Sequence, residues 1–193
     1  MRVLPILFLL SFSFAANSQS LDDKWVTKVN QSRNTDFDTF NLGLSQSADY
    51  VAIGTPAAIL LAGFLKQDKY LQKEGLKASV AILGTYGVGY ILKKTVKRER
   101  PYLVLEGLSP VQAKTSYSFP SGSAAVAFAS ATTLTSSFPK WYVAVPSFGY
   151  AAAVSYSRIR SGEHYPSDVL AGAIVGAGSV WVSKKLTHLI NKN

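Results

Sequence analysis

Five apolar segments, at roughly 51–65, 76–92, 121–135, 141–156 and 169–182, dominate this sequence. Each is rich in alanine and glycine, residues that let helices approach closely. No apolar–polar alternation or hairpin turn signal competes with them, so the pattern predicts an all-α helical bundle. The five segments serve as its core or transmembrane helices. Ahead of them, residues 19–48 are mixed and polar. Within that stretch Asp22–Val26 and Phe37–Leu42 read as short amphipathic helices on the surface or capping the bundle. A length of 193 residues fits one domain.

A membrane span needs about 20 apolar residues, with a lower limit near 17. Several of these runs are nearer 15, so the buried helices of a soluble bundle remain an alternative. Residues 1–18 carry Arg2, an apolar run from Val3 to Phe14 and the small residues Ala16 and Ser18, which predicts a secretory signal peptide with the domain following over 19–193. An uncleaved anchor helix is the other reading. With the N-terminus exported and the segments alternating, the linker carrying Lys66, Lys69, Lys73 and Lys77 faces the cytoplasm. So do the 136–140 turn and the tail with Lys184, Lys185 and Lys192. This follows the positive-inside tendency. The expected location is the inner membrane with the outer loops in the periplasm, or, for a soluble bundle, the periplasm itself. One outer loop, 93–120, is strongly basic against that rule, which gives its charges another task.

Composition narrows the chemistry. Only 16% of residues are charged, against about 25% in an ordinary soluble domain, so much of the chain is buried in a core, in lipid or in both. The net charge of +9 suits anionic lipid or a phosphate-bearing substrate. No zinc-finger spacing, RNA-binding signature or aromatic–basic interleaving supports nucleic acid as a partner. The absence of cysteine excludes disulfides, thiolate metal sites and a cysteine nucleophile.

The chemistry-bearing residues fall in three places at the outer ends of the segments. Lys93 and Arg100 are seven apart and share a face if the helix continues to Arg100. Pro101 limits continuation beyond it, and a solvated basic helix end is the bland alternative. Ser121 and Gly122 follow Pro120 at a helix start, where free N–H groups and the helix dipole form an anion cradle. An ordinary serine cap is the bland reading. His164 and Asp168 are four apart at the start of the last apolar helix. A carboxylate at that spacing can fix one ring tautomer and leave the other nitrogen free to act.

Together the three stretches are Lys93, six residues, Arg100-Pro101; then Pro120-Ser121-Gly122; then Ser157-Arg158, five residues, His164, three residues, Asp168. Over residues 50–185 this resembles the type 2 phosphatidic acid phosphatase superfamily, whose members include lipid phosphatases, bacterial acid phosphatases and vanadium haloperoxidases. The resemblance implies a metal-independent phosphatase without cofactor. Lys93, Arg100 and Arg158 would clamp the phosphate oxygens, and Ser121 and Gly122 would add hydrogen bonds. His164 would attack phosphorus to give a phosphohistidine that water hydrolyses, with Asp168 orienting it. Three cations and a helix N-terminus would stabilise the developing charge.

One position departs. The family's second motif normally ends in a histidine that protonates the leaving oxygen; here that residue is Ser123, a far weaker acid. The other histidine of the chain, His188, falls on the opposite side of the expected topology. The implied substrate is a phosphorylated lipid or polyprenyl diphosphate at a membrane. Ser123 leaves three explanations open: an engineered and disabled enzyme, one whose activity has decayed, or a substrate whose leaving group needs little protonation. Two further readings stand beside it: a non-catalytic phospholipid-binding protein that retains the cradle, and a vanadium-dependent haloperoxidase.

Overall fold

A computed structural model describes residues 21–190, and these are helical throughout apart from turns and one long loop. The expected signal segment 1–18 lies outside the described residues. Helix α1 covers 21–31, and a single 3-10 turn, Thr35–Phe37, leads into α2, Asp38–Leu65. The remaining helices are α3 (Lys69–Val96), the one-turn α4 (Pro101–Val104), α5 (Gly122–Ser137), α6 (Trp141–Arg160) and α7 (Pro166–Ile190). The class is all-α, as the apolar pattern predicts. The stretch expected to be a separate short helix at Phe37–Leu42 is instead the 3-10 turn running directly into α2. Nothing in the sequence breaks the helix between Asp38 and the apolar run, so the two merge.

Local chemistry sets the boundaries. Asp68 caps α3 by accepting the N–H groups of Tyr70 and Leu71 at 2.8 and 3.2 Å. At the other end Lys97 turns left-handed (φ 52°) and its N–H bonds the Lys93 carbonyl. The helix therefore stops before Arg100, and Lys93 and Arg100 do not share a helix face. Arg100 becomes the residue before Pro101, which opens α4.

Short, small-residue α5 is the axis of the bundle. Nine of its residues are buried, six of them alanine or valine, and α7, α6, α2 and α3 all pack around it. The core is largely alanine: Ala48, Ala52, Ala81, Ala127, Ala129 and Ala151. Gly172 and Gly176 of α7 lie so close to the carbonyls of Ser121 and Ala125 that no side chain would fit there. That approach brings the first turn of α7 against the first turn of α5.

The large apolar side chains point outward. Ile53, Leu61, Leu83, Ile91, Val145, Ile174 and Trp181 are all more than half exposed. Small residues inside and large apolar ones outside suit a lipid environment. Three stretches are long and apolar enough to cross a membrane: Thr35–Leu65, Lys69–Val104 and Pro166–Thr187. At 16 residues α5 is about 24 Å long, short of the ~30 Å hydrocarbon thickness. Of the expected core-or-transmembrane segments, this one is core.

The helices alternate in direction. The C-terminal ends of α3 and α6 and the N-terminal ends of α5 and α7 thus meet at one end of the bundle, with the long 105–120 loop over them.

Candidate active site

His164 sits in the tight connection between α6 and α7, two residues before the first residue of α7. Its ring is buried, with 3% exposed. Arg100 Nη1 lies 3.2 Å from Nε2. A guanidinium can only donate, so Nε2 accepts and the ring proton of the neutral imidazole is on Nδ1. That nitrogen faces Asp168 Oδ2 at 3.6 Å. Burial, then the charges of Arg158, Arg100, Lys93 and Lys114, hold His164 well below the ordinary imidazole value. The ring is therefore neutral, with its Nε2 electron pair turned toward the cationic cluster.

Asp168 stands in the first turn of α7, fully buried. Its Oδ2 accepts the N–H of Tyr165 at 2.9 Å and its Oδ1 accepts from Arg98 Nη1 at 2.9 Å. The carbonyl of Asp168 accepts the N–H of Ser121 at 2.9 Å, a direct consequence of the α5–α7 contact at Gly172. One of the N–H groups expected at the α5 cradle is thereby spent on the protein itself. Those of the following residues have no intrahelical acceptor. Gly122 is half-buried, and a side chain built there would meet open space. Ser123 is half-buried in the same turn.

The clamp cations converge, each held by different elements. Arg100 is 2% exposed; its Nε donates to the Ser116 carbonyl, its Nη2 to the Ser116 hydroxyl and its Nη1 to the Glu163 carbonyl. Arg158, equally buried at the end of α6, donates to Ser45 of α2 at 3.1 Å and to the carboxylate of Glu163. Lys93 is turned by the last turn of α3 toward the 117–120 loop, where its ammonium donates to the carbonyls of Tyr117 and Pro120, each at 2.8 Å. All of the residues expected at the site therefore lie at one end of the bundle. His188 lies in the last turn of α7, about 33 Å along that helix from Pro166.

Four contributors were not anticipated. Glu163 is fully buried, and its Oε2 draws Arg158, Arg100 at 3.5 Å and Lys114 at 3.8 Å. Lys114 is partly exposed and held below the ordinary lysine value by burial and then by Arg158. Ser116 receives two of the Arg100 bonds. Arg98 bridges Asp168 to Asp22 of α1. The signal for Glu163 was its place beside His164, and for Arg98 its place inside the first basic run; charged residues in loops are usually solvated, which hid both.

Buried polar atoms normally find partners. Of the eight buried side-chain atoms without one among the described residues, four are here: Ser121 Oγ, Arg158 Nε, Glu163 Oε1 and His164 Nδ1. Three of these can donate, Ser121 Oγ, Arg158 Nε and the protonated His164 Nδ1. They sit in a cluster whose cations outnumber its carboxylates. Such an arrangement is chemically suited to a small, multiply charged anion facing a neutral imidazole. Among the described residues no group of histidines and carboxylates has the arrangement of a metal site.

Comparisons with known proteins identify the family. Residues 74–192 match the PAP2 superfamily, and the chain belongs to that family. An undecaprenyl-diphosphatase of Sulfolobus acidocaldarius is 31% identical over 136 residues, covering 70% of this chain and 61% of that protein. A lipid A 4'-phosphatase of Bacteroides thetaiotaomicron is 36% identical over 72 residues, 37% of this chain and 32% of its own length. The chain thus spans less than two thirds of either relative. The crystal structure of Aquifex aeolicus LpxE superposes with a TM-score of 0.72 at 27% identity, over 84% of this chain and 93% of that one.

Proposed function

We propose that this chain is an integral membrane phosphatase that hydrolyses a lipid-linked phosphate or diphosphate through a phosphohistidine, with residues 19–193 forming one catalytic domain. The observation that carries the reading is the buried neutral His164, its Nε2 3.2 Å from Arg100 Nη1 and its Nδ1 facing Asp168. In this reading Lys93, Arg100 and Arg158 take the phosphate oxygens, with the Ser121 hydroxyl and the N–H groups at Gly122 completing the seat. Arg100 gives up Nε2 as it turns to the phosphate. Nε2 then bonds to phosphorus while the bond to the leaving oxygen breaks. The ring becomes cationic, and Asp168 stabilises it through the Nδ1 proton. In the second half-reaction water attacks phosphorus. An O–P bond forms as the N–P bond breaks, its electron pair returns to Nε2 to restore the neutral ring, and the water protons leave with the inorganic phosphate.

Three membrane-length helices and an outward apolar surface support a lipid substrate over a sugar phosphate, as do relatives named for undecaprenyl diphosphate and lipid A. The basic far end supports export of the N-terminus and a site facing the periplasm. Ser123 stands at the position of the leaving-group acid, and we read it as an impairment that weighs on monoesters most.

The test is phosphate release in detergent from phosphatidic acid, phosphatidylglycerol phosphate, lipid A and a polyprenyl diphosphate, by this chain and by S123H. Release that depends on His164 is expected. No release from any of the four by either protein would sink the enzymatic reading. Ser123 also favours a second reading, a phospholipid-phosphate binder without turnover. It is the one to keep if the chain binds these lipids but only S123H hydrolyses them.

A further inference from the structure

Helix α1 lies outside the stretch that matches the family, which starts at residue 74, yet it reaches the catalytic carboxylate. Asp22, 6% exposed, employs both of its oxygens. Oδ1 accepts the backbone N–H of Ser167 at 3.0 Å; Oδ2 accepts the Ser167 hydroxyl and Arg98 Nη2, the latter at 2.9 Å. Arg98 turns its other nitrogen, Nη1, to Ser167 Oγ at 2.7 Å and to Asp168 Oδ1 at 2.9 Å. Its guanidinium lies 3.7 Å from the centre of the Tyr165 ring, and the Tyr165 N–H holds Asp168 Oδ2. Hydrogen bonds thus run from Asp22 through Arg98 to Asp168, whose Oδ2 faces His164 Nδ1 at 3.6 Å. The rest of α1 is anchored independently. Val26 is fully buried, and Asn30 binds the Arg160 carbonyl at 2.9 Å and both the N–H and the carbonyl of Ser109.

We infer that Asp22 is a positioning residue of the phosphatase site, acting on His164 through Arg98 and Asp168. The inference rests on the proposed roles of His164 and Asp168. Its physical basis is twofold. A guanidinium is a planar fork; with Nη2 fixed by Asp22, Nη1 can hold Asp168 only in the orientation that aims Oδ2 at Nδ1. In addition, Arg98 divides its charge between two carboxylates. Without Asp22 the whole of that charge falls on Asp168 and weakens its support for the cationic ring formed when Nε2 bonds to phosphorus. Asp22 makes no contact with Lys93, Arg100 or Arg158 in this network, so substrate binding is left alone.

The experiment uses the full chain and two readouts. D22N keeps an acceptor for the Ser167 N–H but removes the charge; S167A removes only the hydroxyl bridging Asp22 and Arg98. V26A, in the same helix and away from Arg98, is the structural control. D22N is expected to lower kcat about 10-fold, the scale lost when an outer-shell partner of a functional histidine is removed, with KM little changed. S167A is expected to act in the same direction by less, and V26A to lower thermal stability while leaving kcat in place. The second readout is the imidazole 15N spectrum, simple because the chain has two histidines. His164 in the parent protein should show one neutral tautomer, Nδ1–H, and in D22N a mixture of both. Unchanged kcat and tautomer in D22N and S167A would overturn the inference. A tautomer shift in a protein that releases no phosphate from any lipid would uphold the wiring and overturn only the enzymatic reading. Should D22N fail to fold, unchanged behaviour of S167A alone decides against it.

Discussion

The two ends of the bundle are both basic, and they use their charge differently. At the far end Lys66, Lys69, Lys73 and Lys140 are exposed. A buried carboxylate there, Glu74, is met by Lys77 at 2.8 Å, Lys184 at 3.1 Å and the Ser137 hydroxyl. At the site end Arg100, Arg158, Glu163, His164 and Asp168 are all buried, drawn from two stretches of chain. Burying a charge is costly unless it is paired, so a fold that gathers three guanidinium and ammonium groups around a histidine maintains them for a purpose other than stability. The far end leaves most of its lysines in water. It is the fate of the charge, buried and cross-linked or solvated, that separates the two ends; the number of basic residues does not.

The sharpest way to break this contrast is to remove the nucleophile. H164A is expected to lose all turnover and any acid-labile phosphoprotein, measured by phosphate release and by trapping with labelled substrate, because no other nucleophile of that type lies in the cluster. The double variant K69A/K73A at the far end should keep full kcat. Equal losses in the two proteins would erase the distinction between the ends.

Restoring an acid tests the site end from the other direction. S123H should raise kcat/KM for a phosphomonoester by about 10²–10⁴-fold, the usual contribution of general acid catalysis. The gain should be smaller for a polyprenyl diphosphate, whose leaving phosphate departs readily as an anion whereas an alkoxide does not. Equal gains on both substrates would remove the leaving-group argument.

A third variant weighs the buried pairing itself. R158A leaves Glu163 with one fewer close partner in a fully buried position. The expected cost is about 3–5 kcal/mol of stability, as for other broken buried ion pairs, and binding of vanadate, a phosphate mimic, should weaken with it. A surface lysine such as Lys69 changed to alanine should stay within about 0.5 kcal/mol. Chemical denaturation in detergent and vanadate titration measure the two effects. A small cost at Arg158 would mean that the Glu163 carboxylate reaches water.

Much of this contrast was legible in the sequence. The three motifs fall at helix ends that alternation places together, and the breach of the positive-inside tendency in 93–120 marked charges with another task. What sequence could not supply was backbone detail set by single residues. The left-handed turn at Lys97 ends α3 early, so Arg100 arrives from a loop and not from the helix face it shares by spacing with Lys93. The Ser121 N–H, read as part of an open cradle, is bound by the Asp168 carbonyl, because Gly172 lets α7 approach where no periodicity announces it. Asp22, Glu163 and Arg98 were hidden for one reason. Each is a charged residue in a polar stretch, and only long-range packing, with Asp22 and Arg98 76 positions apart, shows that Asp22 and Glu163 are buried and Arg98 half-buried.

The smallest expected effect concerns pH. Burial and the surrounding cations hold the His164 ring below its ordinary value, so the folded protein keeps it neutral where the unfolded chain titrates near about 6.5. Below that pH the unfolded state binds a proton that the folded state does not, and stability falls as pH falls. Above it the term vanishes. The slope approaches about 1.4 kcal/mol per pH unit for one such group until the folded value is reached. Replacing the ring by a side chain that does not titrate, H164Q, should remove that slope. Going from pH 6.5 to pH 5.5, the parent protein should therefore lose about 1 kcal/mol more than H164Q, read as a steeper drop in melting temperature in detergent. Rates follow the same sign, because the proposed nucleophile is the neutral ring: kcat/KM should hold steady from pH 7.5 to 6 and fall only in more acid solution. Parallel stability curves for the two proteins, together with a rate that falls already between pH 7.5 and 6, would mean that His164 takes up a proton within the folded state at its ordinary value. The site end would then be open to water like the lysines at the other end, and the difference between the two would lose its physical basis.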